Sequence, residues 1–119
     1  MKYLCLAYGD EAAWNALTKK EQDALLAQDE VLRTRGDLVV AVHNKATVMR
    51  GWEGKPSTTD GPFAHSNLPL AGFGIIEATD LNEAIALLAS TPCARAKGAI
   101  EIRPIAAINE WQTARGVRL

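Results

Sequence analysis

His43 and His65 are the two side chains of this sequence whose unperturbed pKa lies near neutrality, so a proton transfer at physiological pH would use one of them at least cost. His65 is the better candidate. It follows Asp60 by five positions in a loop that should line a cleft, whereas His43 ends a strand just before Asn44 and reads as a surface or turn residue. Asp60-Gly61-Pro62 admits two readings. In the first it is a turn: Asp accepts hydrogen bonds from amides just downstream, Gly frees the backbone and Pro fixes φ. In the second, Asp60 sits at a strand end beside a cleft and works as a general base, or binds a cationic or hydroxyl group of a ligand. Arg50 and Arg103 occupy strand positions from which a guanidinium could grip a carboxylate by a two-pronged contact; a surface ion pair is the alternative for each. Gln28 falls near the middle of an apolar helix face. Either it bonds to a backbone group, or it forms the wall of a small polar cavity.

Several chemistries lack their residues. Two histidines without a His-x-x-x-His spacing do not make a metal site. Thr58 and Thr59 lack the Gly-x-Ser-x-Gly setting of a nucleophile, and no glycine-rich loop opens a helix to cradle phosphate, so neither a metal nor a cofactor is expected. A formal net charge of -1, from 13 basic and 14 acidic residues, gives no cationic footprint for nucleic acid. Trp14, Trp52 and Trp111 are scattered and offer no stacking platform for bases. Cys5 and Cys93 make no redox or metal spacing and read as small core hydrophobes. The opening apolar run is too short for a membrane span and lacks a small-residue cleavage site, which sets the cytosol as the expected compartment.

The elements that must position these residues follow from periodicity. At 119 residues, one core in a single domain spanning 1–119 is expected. Tyr3 to Tyr8 is a continuous apolar run of the kind found in a central strand. Glu11 to Leu17 can make a short helical turn, after which Thr18-Lys19-Lys20-Glu21 supplies a capping box. A helix from Lys19 to Arg35, stopped at Gly36, should turn Ala24, Leu25, Ala27, Val31 and Leu32 inward. Leu38 to His43 is the second strand. Ala46–Arg50 and Lys55–Thr59 flank Gly51-Trp52-Glu53-Gly54 as a hairpin excursion with Trp52 exposed at its tip.

Leu70 to Ala78 is the next strand, with Gly72 and Gly74 on the face of Ile76, where glycine lets something approach closely. Asp80 and Glu83 cap a second helix whose stripe is Leu81, Ala84, Ile85 and Leu88. Ala99 to Ile105 closes the sheet, alternating Ile100 and Ile102 with Glu101 and Arg103. The class is α+β, with a ferredoxin-like βαββαβ order and an inserted β-hairpin. Helices on one face leave the other face of the sheet bare and apolar, which a monomer does not tolerate. A two-fold homodimer covering that face, with a ligand niche at its seam, is the expected solution.

Thr58-Thr59-Asp60-Gly61-Pro62-Phe63, then Leu70-Ala71-Gly72-Phe73-Gly74-Ile75-Ile76-Glu77 and Glu101-Ile102-Arg103-Pro104-Ile105, resemble in combination the DGPF proteins. These are a branch of the YCII-related group within the dimeric α/β-barrel superfamily. The similarity extends over nearly the whole chain. It implies a small-molecule-binding homodimer with Asp60 matching the acid of a His–Asp pair, though the helix from Lys19 to Arg35 holds no matching histidine. It adds Phe63 to Gln28, Arg50 and Arg103 as ligand contacts, with Asp60 and His65 as the catalytic candidates in lyase- or isomerase-type acid–base chemistry. Where relatives continue with an acidic, lysine-containing run, this chain has Ala64-His65-Ser66-Asn67-Leu68-Pro69. Relatives often encoded beside extracytoplasmic-function sigma factors imply the alternative, a non-catalytic module that contacts a sigma factor.

Overall fold

A computed structural model describes residues 1–107 of the chain; Trp111 lies outside them. The elements run β1 (Lys2–Tyr8), α1 (Glu11–Asn15), α2 (Lys19–Thr34), β2 (Leu38–Ala41), β3 (Thr47–Arg50), β4 (Ser57–Asp60), β5 (Leu70–Glu77), α3 (Leu81–Leu88), α4 (Pro92–Arg95) and β6 (Ala99–Pro104). The main sheet has the order β2-β5-β1-β6, with every neighbouring pair antiparallel. That is the ferredoxin-like βαββαβ arrangement expected from the sequence. The β3–β4 hairpin forms a separate two-stranded sheet inserted between β2 and β5.

Local chemistry sets the helix limits. Thr18 and Glu21 close a reciprocal capping box at the start of α2. At its end Gly36 takes φ +99°, its N–H bonding to the Arg33 carbonyl while the Asp37 N–H reaches that of Leu32. This pair of bonds is the Schellman closure, which a left-handed glycine makes possible. Asp80 accepts from the Glu83 amide at the start of α3, and Glu83 in turn accepts from Thr79.

The pleat divides the sheet into two unlike faces. Tyr3, Cys5 and Ile76 point to the helices and are buried with Leu32, Ala84 and Leu88, while Val39, Ile100 and Ile102 pack against that cluster. Leu4, Leu6, Val40, Phe73 and Ile75 point the other way and remain half-buried, with Leu38 exposed. No described element covers them. Both glycines of β5 lie on the helix side, where a Cβ on Gly72 would stand 2.5 Å from the Val40 carbonyl oxygen and one on Gly74 2.8 Å from that of Leu38. The close approach implied by these glycines is thus made by the backbone of β2.

The helix stripes are narrower than periodicity predicts. Leu32 alone is buried on α2, while Val31 is half-exposed and Ala24 and Ala27 face solvent. On α3, Ala84 and Leu88 are buried but Leu81 and Ile85 are not. Two helices over four short strands leave the outer flank of each helix without a neighbour, so tertiary contact, and not amphipathicity, decides which apolar residues are covered.

Candidate functional site

Between the helix-side sheet face and the underside of α2 and α4 lies a cavity of about 260 Å³. Its floor is built from Cys5 and Ala7 of β1, Gly72, Gly74 and Ile76 of β5, and Ile100 of β6. Both glycines line the space while their missing Cβ atoms admit the backbone of β2 beside it. Leu26, Asp29, Leu32 and Arg33 come down from α2, and Thr91, Pro92 and Cys93 close the side. The lining is apolar apart from a few groups, the composition of a site for a small organic molecule. An apolar cavity of about 150 Å³ holds benzene. This one is large enough for a substituted ring.

Asp29 is the acid of this cavity. Burial pushes its carboxyl above the ordinary carboxylate range; Arg33, one turn further along α2, opposes the shift and Glu30 adds to it. Among the described residues the Asp29 carboxylate accepts no hydrogen bond, whereas Arg33 is engaged, its guanidinium bonding to Glu30 and donating from Nε to the Val39 carbonyl at 3.3 Å. Cys93 is held as a thiol by burial and by the negative charge of Asp29. The Cys5 thiol is pushed up to about 11 by burial and by Asp37. Neither sulfur has the electropositive setting of a nucleophile. Thr91 is buried and spends its hydroxyl on the Leu88 carbonyl at 2.6 Å. Among the described residues, no cluster of three or more His, Cys, Asp or Glu could hold a metal ion.

None of the six site residues read from the sequence lines this cavity. Gln28 faces inward, as its helix position requires, and donates from Nε2 to the Leu87 carbonyl at 2.8 Å, which ties α2 to α3. Arg103 pairs with Glu101 at 2.5 Å on the uncovered sheet face, opposite Leu4. Asp60, Phe63 and His65 are exposed on the inserted hairpin, where the guanidinium of Arg50 lies 5.5 Å from the centre of the Phe63 ring. Asp60 ends β4 opposite Thr47, and the following amide of Gly61, at φ +103°, donates to the Ala46 carbonyl. The turn reading of Asp60-Gly61-Pro62 describes that backbone. Arg50 and Phe63 are therefore brought together; Gln28 and Arg103 are placed elsewhere.

Asp29 escaped the sequence reading because a charged residue between Gln28 and Glu30 looks like a solvated face. A signal existed. At about 100° per residue, position 29 falls close to Leu25 and Leu32 on the helix circumference, so the covered strip of α2 runs through it. Cys93 follows Pro92 in a four-residue helix too short to be read from periodicity.

The family model described as YCII-related domain matches residues 1–111 of this chain. An uncharacterised protein of Rhizobium meliloti (strain 1021) is 28% identical over 115 residues, covering 89% of this chain and 93% of that one. Among solved structures, 5-chloro-2-hydroxyhydroquinone dehydrochlorinase from Burkholderia phenoliruptrix AC1100, in complex with 2,5-dihydroxybenzoquinone, aligns over 92% of this chain and 98% of its own. Its TM-score is 0.48 at 14% identity.

Proposed function

The chain belongs to the YCII-related family, and from that premise we propose that it binds a small, largely apolar organic molecule beneath α2, with Asp29 as the acid–base group that meets it. One observation carries this reading: an apolar cavity sized for one ring contains a carboxyl whose pKa is raised by burial. Such a group, half-buried at the cavity wall, is disposed to hold or take a proton. Lyase- or isomerase-type proton transfer is the chemistry it suits, with Arg33 near enough to favour a negatively charged or hydroxylated substituent. A homodimer belongs to the same proposal. Leu4, Leu6, Val40, Phe73 and Ile75 form a face that a second copy would cover, and a two-fold axis lets the patch meet itself.

The test is a thermal-shift and NMR titration of the full chain with a panel of substituted phenols, ring carboxylic acids and short-chain hydroxy acids. At least one class is expected to raise the unfolding midpoint, and Asp29→Asn to abolish that rise while leaving the fold intact. If Asp60→Ala removes the rise and Asp29→Asn does not, the cavity is not the site and the niche lies on the hairpin.

A further inference from the structure

Asp29 and Glu30 both stand one turn before Arg33 on α2, at i,i+4 and i,i+3, so one guanidinium is within reach of two carboxylates. It pairs with Glu30. The choice has a cause outside the helix. β2 is an outer strand of the main sheet, and just beyond its end the Val42 amide bonds to the Ala71 carbonyl of β5. In an antiparallel pair every second residue turns both its amide and its carbonyl to the same neighbour, so Leu38 and Val40 also face β5 and Val39 faces the open edge. An edge carbonyl without a strand beside it needs another donor. Arg33 supplies one from Nε at 3.3 Å, which fixes the guanidinium against β2 while Nη1 turns to Glu30.

Asp29 is left over. Among the described residues its carboxylate pairs with no cation and accepts no hydrogen bond, although it shares the cavity lining with Arg33. The other titratable groups lining the space are two thiols, Cys5 of β1 and Cys93 of α4; β2, β5 and β6 bring none. Thr91 spends its hydroxyl on the Leu88 carbonyl. No lining group on another element can therefore replace Arg33 as a counter-charge for Asp29.

We propose that Glu30 is a positioning residue for Asp29: by holding Arg33 to itself, it keeps the Asp29 carboxylate unpaired and open to the cavity. This inference rests on the reading of Asp29 as the acid–base group. Glu30 itself lies outside the cavity lining and acts through Arg33. The proton affinity of Asp29 accords with the arrangement: burial raises it, Arg33 opposes the rise, and the negative charge of Glu30 adds to it. A carboxylate clamped by a guanidinium is driven the other way and becomes a weaker base.

Carbon-13 NMR titration of the Asp29 carboxyl in the full chain, with no ligand added, tests the arrangement by itself. The Glu30 side chain is 69% exposed, so Glu30→Gln should leave the circular-dichroism spectrum unchanged. It should lower the Asp29 titration midpoint, both by removing a nearby negative charge and by releasing Arg33 to Asp29. A double-mutant cycle separates the two contributions. With Arg33→Gln in place only the charge contribution remains, so the fall caused by Glu30→Gln should shrink to less than about half its size in the wild-type background. Equal falls in the two backgrounds overturn the proposal, because Glu30 then acts as a charge alone; a midpoint that does not fall in Glu30→Gln overturns it as well. Ligand binding is the separate readout. A panel compound whose thermal shift depends on Asp29 should bind Glu30→Gln about twofold more weakly, the scale of a competing helix ion pair. If the cycle behaves as expected and no compound's effect depends on Asp29, the positioning of Arg33 by Glu30 stands and the reading of Asp29 as the acid–base group falls.

Discussion

The cavity side and the arm formed by the inserted β3–β4 hairpin are built from the same chain under opposite conditions. Beneath α2, side chains are held by covered neighbours: Cys5, Leu32 and Ile76 are buried, Thr91 is bonded inward, and the Asp29 and Cys93 proton affinities are both raised by loss of water. On the arm, Asp60, Phe63 and His65 stand in solvent, and the contact between Arg50 and Phe63 is local. The most recognisable stretch of sequence is thus exposed to solvent, and the half-buried acid lies in a helix with no distinctive motif. Recognisable spacing reports backbone requirements, such as the positive φ of Gly61; chemical setting is made by burial.

The contrast breaks if the two regions respond alike to substitution. Leu32→Ala, which empties a fully covered position, should cost about 3 kcal/mol by denaturant unfolding. An equal cost for a truncation on β4 would mean that the arm is part of the protomer's core. Gly72→Ala should lose about 2 kcal/mol, because its Cβ would collide with the Val40 carbonyl and push β2 from β5. Solvent-exchange rates of the β2 amides, rising before those of β1, would locate that damage.

Arg50→Gln should cost less than about 1 kcal/mol of stability, the range of an exposed cation–π contact. A larger loss would show that Phe63 is anchored into the protomer after all. The smallest effect sharpens the contrast most. Because the folded pKa of Asp29 is raised above its ordinary 3.8, the native state holds its proton longer than the unfolded chain, so this residue reduces stability as pH rises through and above 3.8. Asn cannot ionise. Asp29→Asn should therefore raise the unfolding midpoint slightly at pH 7, with the gain shrinking on acidification and vanishing below 3.8; a variant that is less stable at neutral pH would make Asp29 a structural anchor. A gain in stability joined to a loss of ligand binding is the signature of a group kept for function.

Much of the protomer was legible. The capping box at Thr18 and Glu21, the stop at Gly36, the alternation of β5 with Gly72 and Gly74 facing Ile76, and the hairpin tip at Trp52 follow from local rules and appear as read. The boundary of the α2 strip was not legible from the run of apolar residues. Val31 and Ala27 look like core by type, yet the covered strip of the helix runs through Leu25, Gln28, Asp29 and Leu32 instead, with Gln28 bonded to α3. A helix can turn about its own axis by a fraction of a residue at little local cost, so only the packed sheet fixes which flank is covered.

What the sequence determined by itself was the order of elements, their caps and turns, and membership of the YCII-related family, because each rests on near neighbours along the chain or on residues whose backbone demands are strict. What the tertiary structure decided was which acid is half-buried against an apolar cavity. Enclosure is a property of distant segments meeting, here α2 and α4 over the glycines of β5, and no spacing along the chain encodes it alone.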